Sequence, residues 1–284
     1  MKKFLSLLLA LTLALSLAAC GASDTPAADR GGSASGDDAE PITLVVFAAA
    51  SMTETLTEIA GNYKTVAPNV TLCFNFDSSG KLLTQIEEGA LCDLFLSAAP
   101  KQMNALDGSL KDDAEKNPNG QDMLLEGSRL NLLENKVTLA VPEGNPKGIE
   151  SFDQLADLLQ NGEVMLAIGN SDVPVGQYTQ KIFAFYGIDE AAITDKLTYG
   201  NNVKEVTTQV TEAAADCGII YATDAFSAGL TVVDSATAEM CGQVIYPAAV
   251  LKDGQTEAAQ AFLDYLQTED AMTVFESVGF SPAN

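Results

Sequence analysis

Residues 43–61 read TLVVFAAASMTETLTEIAG: an apolar strand, a run of small residues, then a helical pattern opened by a serine. Ser51 stands where a helix N-cap belongs, and Glu54 completes an S-x-x-E capping box. A first helical turn presents unpaired N–H groups and partial positive charge. Small residues before it let an anion approach. Most capped helices bind nothing, so the weight of the pattern depends on its recurrence. The same junction returns at Phe76-Asp77-Ser78-Ser79-Gly80, at Asp172-Val173-Pro174-Val175-Gly176 and at Gly200-Asn201-Asn202-Val203. In the last, Asn202 is the expected cap, with Glu205 three residues on.

Between these junctions, short β-rich runs alternate with helical ones. Strands are expected over 42–47, 70–76, 93–97, 135–141, 164–168, 196–199, 217–221, 230–233 and 243–251. Helices are expected over 52–66, 81–88, 101–107, 152–160 with Ser151 as cap, 176–186, 203–215, 257–267 and 270–278. The rhythm runs through two α/β units of similar size, each expected to hold a mostly parallel sheet flanked by helices. Ligands of open α/β sheets bind at the carboxyl ends of strands. Two junctions fall in each unit, so a site built from both would lie in the cleft between two lobes.

The first 41 residues carry a different message. Lys2 and Lys3 precede an apolar run from Phe4 to Leu17. That run is shorter than the ~20 residues a membrane span needs, so 1–19 reads as a signal peptide. Leu17-Ala18-Ala19-Cys20-Gly21 resembles a bacterial lipobox, which implies cleavage before Cys20, lipidation of its thiol and anchoring on the outer side of the cell membrane. Residues 21–41 lack aromatic and large aliphatic side chains and read as a disordered tether, so 20–41 is one segment. The expected lobes are 42–133 plus 245–284, and 134–244.

Acidic residues number 39 against 15 basic, a net charge of −24. Nucleic acid and anionic membrane surfaces are poor partners for such a chain. An anionic ligand must be held by local donors against the overall field. The sequence has no histidine, which excludes a Ser-His-Asp triad, and no CxxC, so a zinc site is not expected. Cys73, Cys92, Cys217 and Cys241 lie in or beside apolar runs and read as buried thiols; their even number allows two bridges without fixing a pairing. Ser78-x-x-Lys81 matches one element of the S-x-x-K serine enzymes, but the S-D-N and K-T-G elements are missing.

In combination these motifs resemble a known family, the extracellular molybdate-binding proteins of ABC importers. The matching segments are Phe47-Ala48-Ala49-Ala50-Ser51, Phe76-Asp77-Ser78-Ser79-Gly80 and Asp93-Leu94-Phe95-Leu96-Ser97-Ala98 in the first half. They continue with Val173-Pro174-Val175-Gly176-Gln177-Tyr178, residues 218–225 (GIIYATDA) and Tyr246-Pro247-Ala248-Ala249-Val250. The resemblance implies a two-lobed type II binding-protein fold, a monomer working with an ABC permease, no cofactor and no catalysis. The implied ligand is molybdate or tungstate. Another tetrahedral oxyanion, sulfate or phosphate, is the alternative. By position, Ser51 and Ser79 would give hydroxyls and N–H groups, Val175 and Val203 backbone N–H groups, and Tyr221 its phenolic O–H. Asp77 departs from the family's small neutral residue and is expected to turn away or pair with Lys81. Tyr221 is singled out by the resemblance alone; by pattern it is a core strand residue.

Overall fold

In a computed structural model of the chain, residues 40–283 are described. The signal segment, Cys20 and the tether up to residue 39 lie outside them. The strands are β1 (Ile42–Ala49), β2 (Val70–Asp77), β3 (Leu94–Leu96), β4 (Leu130–Asn135), β5 (Val137–Val141), β6 (Leu166–Gly169), β7 (Leu197–Gly200), β8 (Cys217–Tyr221), β9 (Thr231–Ser235), β10 (Val244–Val250) and β11 (Ser281–Pro282). The helices are α1 (Thr53–Val66), α2 (Ser79–Glu87), α3 (Pro100–Asn104), α4 (Phe152–Gln160), α5 (Pro174–Tyr186), α6 (Val203–Thr211), α7 (Ala222–Ser227), α8 (Ala238–Cys241), α9 (Thr256–Tyr265) and α10 (Glu269–Ser277).

Two sheets result, one ordered β11-β4-β10-β3-β1-β2 and the other β7-β6-β8-β5-β9. Both are mixed: in each, most strands run one way, as expected, and a minority run against them. The cause is the arriving strand. In the first sheet β1 pairs parallel with β2 and β3, but β10, returning from the second sheet, runs antiparallel to β3 and β4. In the second, β6 pairs parallel with β7 and β8, while β5, arriving from the first sheet, runs antiparallel to β8 and β9.

Side-chain alternation sorts β1 between two apolar layers. Leu44, Val46 and Ala48 join the cluster that includes Leu56, Ile59 and Tyr63 of α1, Phe262 of α9 and Phe275 of α10. Phe47 faces the other way, into a cluster with Leu82 and Ile86 of α2 and Met103 of α3. Covered on both faces, β1 is almost wholly apolar, as a buried strand must be.

Three expectations are corrected. The run 135–141 is not one strand. β4 ends at Asn135 and β5 begins at Val137 in the other sheet. Asn135 Oδ1 accepts the Lys136 N–H at 2.8 Å, withdrawing from the ladder the donor that would continue it. Ser51 does not cap α1. It lies inside a 3₁₀ turn over Ala50–Met52, and the N-cap position falls to Met52, which offers no side-chain acceptor. Glu54 therefore has no capping box to complete. Cys73 is exposed rather than buried, because β2 is an edge strand; Cys92, Cys217 and Cys241 are buried, and all four thiols are free.

Other caps form as expected. Ser151 Oγ accepts the Gln154 N–H at 3.1 Å and starts α4. Asn202 Oδ1 accepts the Glu205 N–H at 3.0 Å and starts α6, which ends at Thr211, short of the expected 215. Replacing Ser151→Ala should lower stability by about 1 kcal/mol, the usual cost of a lost N-cap. A shift in the urea midpoint at unchanged slope checks it.

Candidate functional site

β1, β2, β3, β6, β7 and β8 all end on the side where the chain changes sheets, and their ends meet around one small cavity. From the first half it is lined by residues 49–51 after β1, 77–79 after β2, and Ala98 after β3. From the second half come residues 173–175 after β6, Val203 after β7, and Tyr221 at the end of β8. Ser51, Ser79, Val175, Val203 and Tyr221 thus line a single cavity. A larger open hollow beside α3 and α5 is lined by side chains such as Lys101 and Gln180.

Three helices begin at the cavity. Ser79 is the first residue of α2 and Val203 the first of α6, while Val175 follows Pro174 at the start of α5. N–H groups of a first turn have no intrahelical acceptor. Pro174 carries no N–H and pre-sets the helical φ, so the first donor of α5 is that of Val175. Gly80 permits the halves to touch: a Cβ there would lie 2.1 Å from the Asp172 carbonyl oxygen.

The hydroxyls are placed with equal economy. Ser79 Oγ is buried and accepts the Ala98 N–H at 2.9 Å, which leaves its own proton to give. Ser51 Oγ lies 2.9 Å from the Tyr246 hydroxyl. Tyr221 is buried to within 1% of full coverage, and its hydroxyl has no hydrogen-bond partner among the described residues. Its ring meets Tyr246 edge-on at 5.7 Å, but the Tyr246 hydroxyl is engaged by Ser51 and Asn135. Burial first, then the neighbouring Tyr246 and Tyr178, pushes the Tyr221 pKa well above its ordinary value, so the group stays a protonated donor.

Asp77 borders the cavity with its charge already engaged. Its Oδ1 accepts the Ser78 N–H at 2.7 Å and Asn202 Nδ2 at 3.2 Å, and Lys81 Nζ lies 3.4 Å away, the pairing expected from the sequence. No Lys, Arg or His lines the cavity. The arrangement presents neutral donors to a compact acceptor. It offers no nucleophile beside a general base. Tyr246, Asn135 and Ala98, which support the lining hydroxyls, were given no site role from the sequence; Tyr246 and Ala98 appeared only as members of family-like segments, and Asn135 only as the end of an expected strand.

Comparison with known proteins agrees with this geometry. Residues 44–281 match the family model described as bacterial extracellular solute-binding protein. YvgL of Bacillus subtilis (strain 168), named as a candidate ABC transporter substrate-binding lipoprotein, is 32% identical over 99% of this chain and 98% of its own. The molybdate-binding protein ModA of Mycobacterium tuberculosis (strain ATCC 25618 / H37Rv) is 31% identical over 95% of this chain and 94% of its own. The periplasmic molybdate-binding protein of Azotobacter vinelandii superposes with a TM-score of 0.68 at 21% identity, covering 85% of this chain and all of the other, a likeness of fold. With the match running across both sheets and every strand end of the cavity, the chain belongs to the bacterial extracellular solute-binding proteins.

Proposed function

We propose that this protein captures molybdate outside the cell and delivers it to an ABC-type permease, acting as a binding protein and not as an enzyme. One observation carries the reading: the Tyr221 hydroxyl, buried and without a hydrogen-bond partner among the described residues, beside three helix starts and the hydroxyls of Ser51 and Ser79. An unpaired buried hydroxyl costs on the order of 1–3 kcal/mol. A dehydrated oxyanion in the cavity would remove that cost. The ligand contacts in this reading are the hydroxyls of Ser51, Ser79 and Tyr221 and the N–H groups of Val175 and Val203. Neutral donors hold an anion by number and geometry, and hydrogen bonds to an ionised partner are about twice as strong as neutral ones. Tungstate, of the same charge and nearly the same size, belongs to the same reading; sulfate is smaller and would leave donors out of reach. The sequence similarity to ModA supports molybdate over other oxyanions. Cys20 is read as the lipid anchor of a monomer whose only hold on the membrane is that lipid.

Capture requires closure of the lobes 42–133 plus 245–284 and 134–244 around the anion. A ligand drives closure only by binding the closed state better than the open one, and donors from both lobes provide that difference. Besides Asn202 and Asp77, Lys204 on α6 reaches across to Glu54 on α1, with Nζ 2.9 and 2.8 Å from its carboxylate oxygens. Lys204 Nζ also lies 3.1 Å from Asp224 Oδ1, an ion pair rather than an aligned hydrogen bond. Asp224 is buried, and desolvation pushes its carboxyl up to about 6 against the lowering effect of Lys204.

Calorimetric titration of molybdate, tungstate, sulfate and phosphate tests the ligand. Tight molybdate binding is expected; tight sulfate binding without molybdate binding would refute the reading. Ser51→Ala, Ser79→Ala and Tyr221→Phe should each weaken molybdate binding by about 1–3 kcal/mol. Binding indistinguishable from the parent in all three would remove the site assignment. The buried carboxylate gives a separate expectation. The folded state holds the Asp224 proton more tightly than the unfolded chain, so this group's contribution to stability is full below about pH 4 and declines as pH rises through about 6. Asp224→Asn should flatten that part of the stability–pH curve, measured as denaturant midpoints across the window.

A further inference from the structure

We propose that Asn135 and Tyr246 are positioning residues that fix the direction of the Ser51 hydroxyl, so that Ser51 can only donate to an anion in the cavity. This rests on the reading of the cavity as an oxyanion site and adds to it two residues that do not line it.

Asn135 closes β4, and its amide has one possible orientation. Oδ1 accepts the Lys136 N–H at 2.8 Å, so the other terminal atom must be the nitrogen. Nδ2 then faces two oxygens, Thr223 Oγ1 at 2.9 Å and the Tyr246 hydroxyl at 3.2 Å. An amide NH₂ has two protons and accepts nothing. The Tyr246 oxygen therefore receives a proton from Asn135 and keeps one of its own. Ser51 Oγ, 2.9 Å away, takes that proton.

The reverse direction fails on accounting. If Ser51 donated to Tyr246, the phenol's proton would need another acceptor. Its other hydrogen-bond partner among the described residues, Asn135 Nδ2, cannot accept. Burial first, then the nearby Asp224 carboxylate, keeps the Tyr246 phenol protonated against the lowering effect of its hydrogen bonds to Ser51 and Asn135. With one lone pair filled by Tyr246, Ser51 has its own O–H left, on the cavity wall. Ser79 reaches the same state by another route, its Oγ filled by the Ala98 N–H at 2.9 Å. Both serines then offer protons and no strong acceptor to a ligand. A fully deprotonated oxyanion is matched; one that carries a proton, as hydrogen phosphate does, finds donors where it needs an acceptor. Asn135 touches Tyr246 from the first sheet and Thr223 of α7 from the second half, so the polarity is set where the chain changes sheets.

A double-mutant cycle tests the relay: the parent, Ser51→Ala, Tyr246→Phe and the pair, each titrated with sodium molybdate by calorimetry. Tyr246→Phe is expected to weaken binding about tenfold in the parent and to have no further effect once Ser51 is alanine. Equal losses in both backgrounds would overturn the relay, since a packing role of Tyr246 does not depend on Ser51. Asn135→Asp provides the second arm. A carboxylate there accepts the Tyr246 proton and turns it from Ser51, so the loss should exceed that of Tyr246→Phe and again vanish with Ser51→Ala. Parent-like binding by Asn135→Asp would overturn the proposal. Thermal unfolding of each variant without molybdate identifies any that fails to fold, and the other arm then decides. Absence of molybdate binding by the parent, or parent-like binding by Ser51→Ala, would instead remove the oxyanion site itself.

Discussion

The chain leaves its first sheet at Asn135 and returns at Val244, and the cavity is a product of those two crossings. A strand that enters a sheet from the side of the crossing must run against the strands that end there. That is the direction of β5 in one sheet and β10 in the other. The remaining strands built by strand–helix–strand steps, β1 to β3 and β6 to β8, deliver their carboxyl ends to the same place. Helix starts follow those ends directly, so their unpaired N–H groups converge without any segment built for the purpose. The Asn135 side chain makes the first crossing possible by capturing the Lys136 N–H, and Lys136 in turn accepts the Ala222 N–H at the start of α7.

The electrostatics are local. A chain with net charge −24 repels anions at a distance, yet charges separated by more than the Debye length of ~8 Å in physiological salt are largely screened. Inside the cavity the nearest carboxylate, Asp77, is met by Ser78, Asn202 and Lys81, so its charge is drawn toward α2 and the second half. What remains at the wall is a set of dipoles. Such a set favours a dehydrated anion over water through low local dielectric, which strengthens each hydrogen bond and raises the cost of each one left unmade. Tyr221 makes this concrete, because its burial is unfavourable until something in the cavity accepts its proton.

Much of this was legible in the sequence, and the reasons for the rest are specific. Strand–helix junctions are local, and the expectations at Ser151, Asn202 and Pro174 follow from chemistry within a few residues. The run from Asn135 to Val141 carries no Gly or Pro, so a change of sheet inside it has no local signature. The antiparallel arriving strands are a property of topology, which periodicity does not encode. Tyr221 came from a resemblance, because a tyrosine ending an apolar strand looks like core until its hydroxyl is found without a partner. Tyr246 and Asn135 are invisible for the same reason: their value lies in contacts 195 and 111 residues apart along the chain.

The failed cap at Ser51 is the most informative of these differences. Where a junction side chain caps its helix, its oxygen serves the helix. Ser78 accepts the Lys81 N–H and Asn202 the Glu205 N–H. Where it does not, the oxygen is filled from outside the helix and the proton stays free. Ser51 is filled by Tyr246 and Ser79 by Ala98. The adjacent pair Ser78-Ser79 divides the two roles between neighbours. At the first junction a 3₁₀ turn places Ser51 inside the helical run, and Met52, with no acceptor to offer, takes the cap position. A serine at a helix start is therefore ambiguous from sequence between support for the helix and donation to a ligand. The side that supplies its acceptor lone pair with a proton resolves the two.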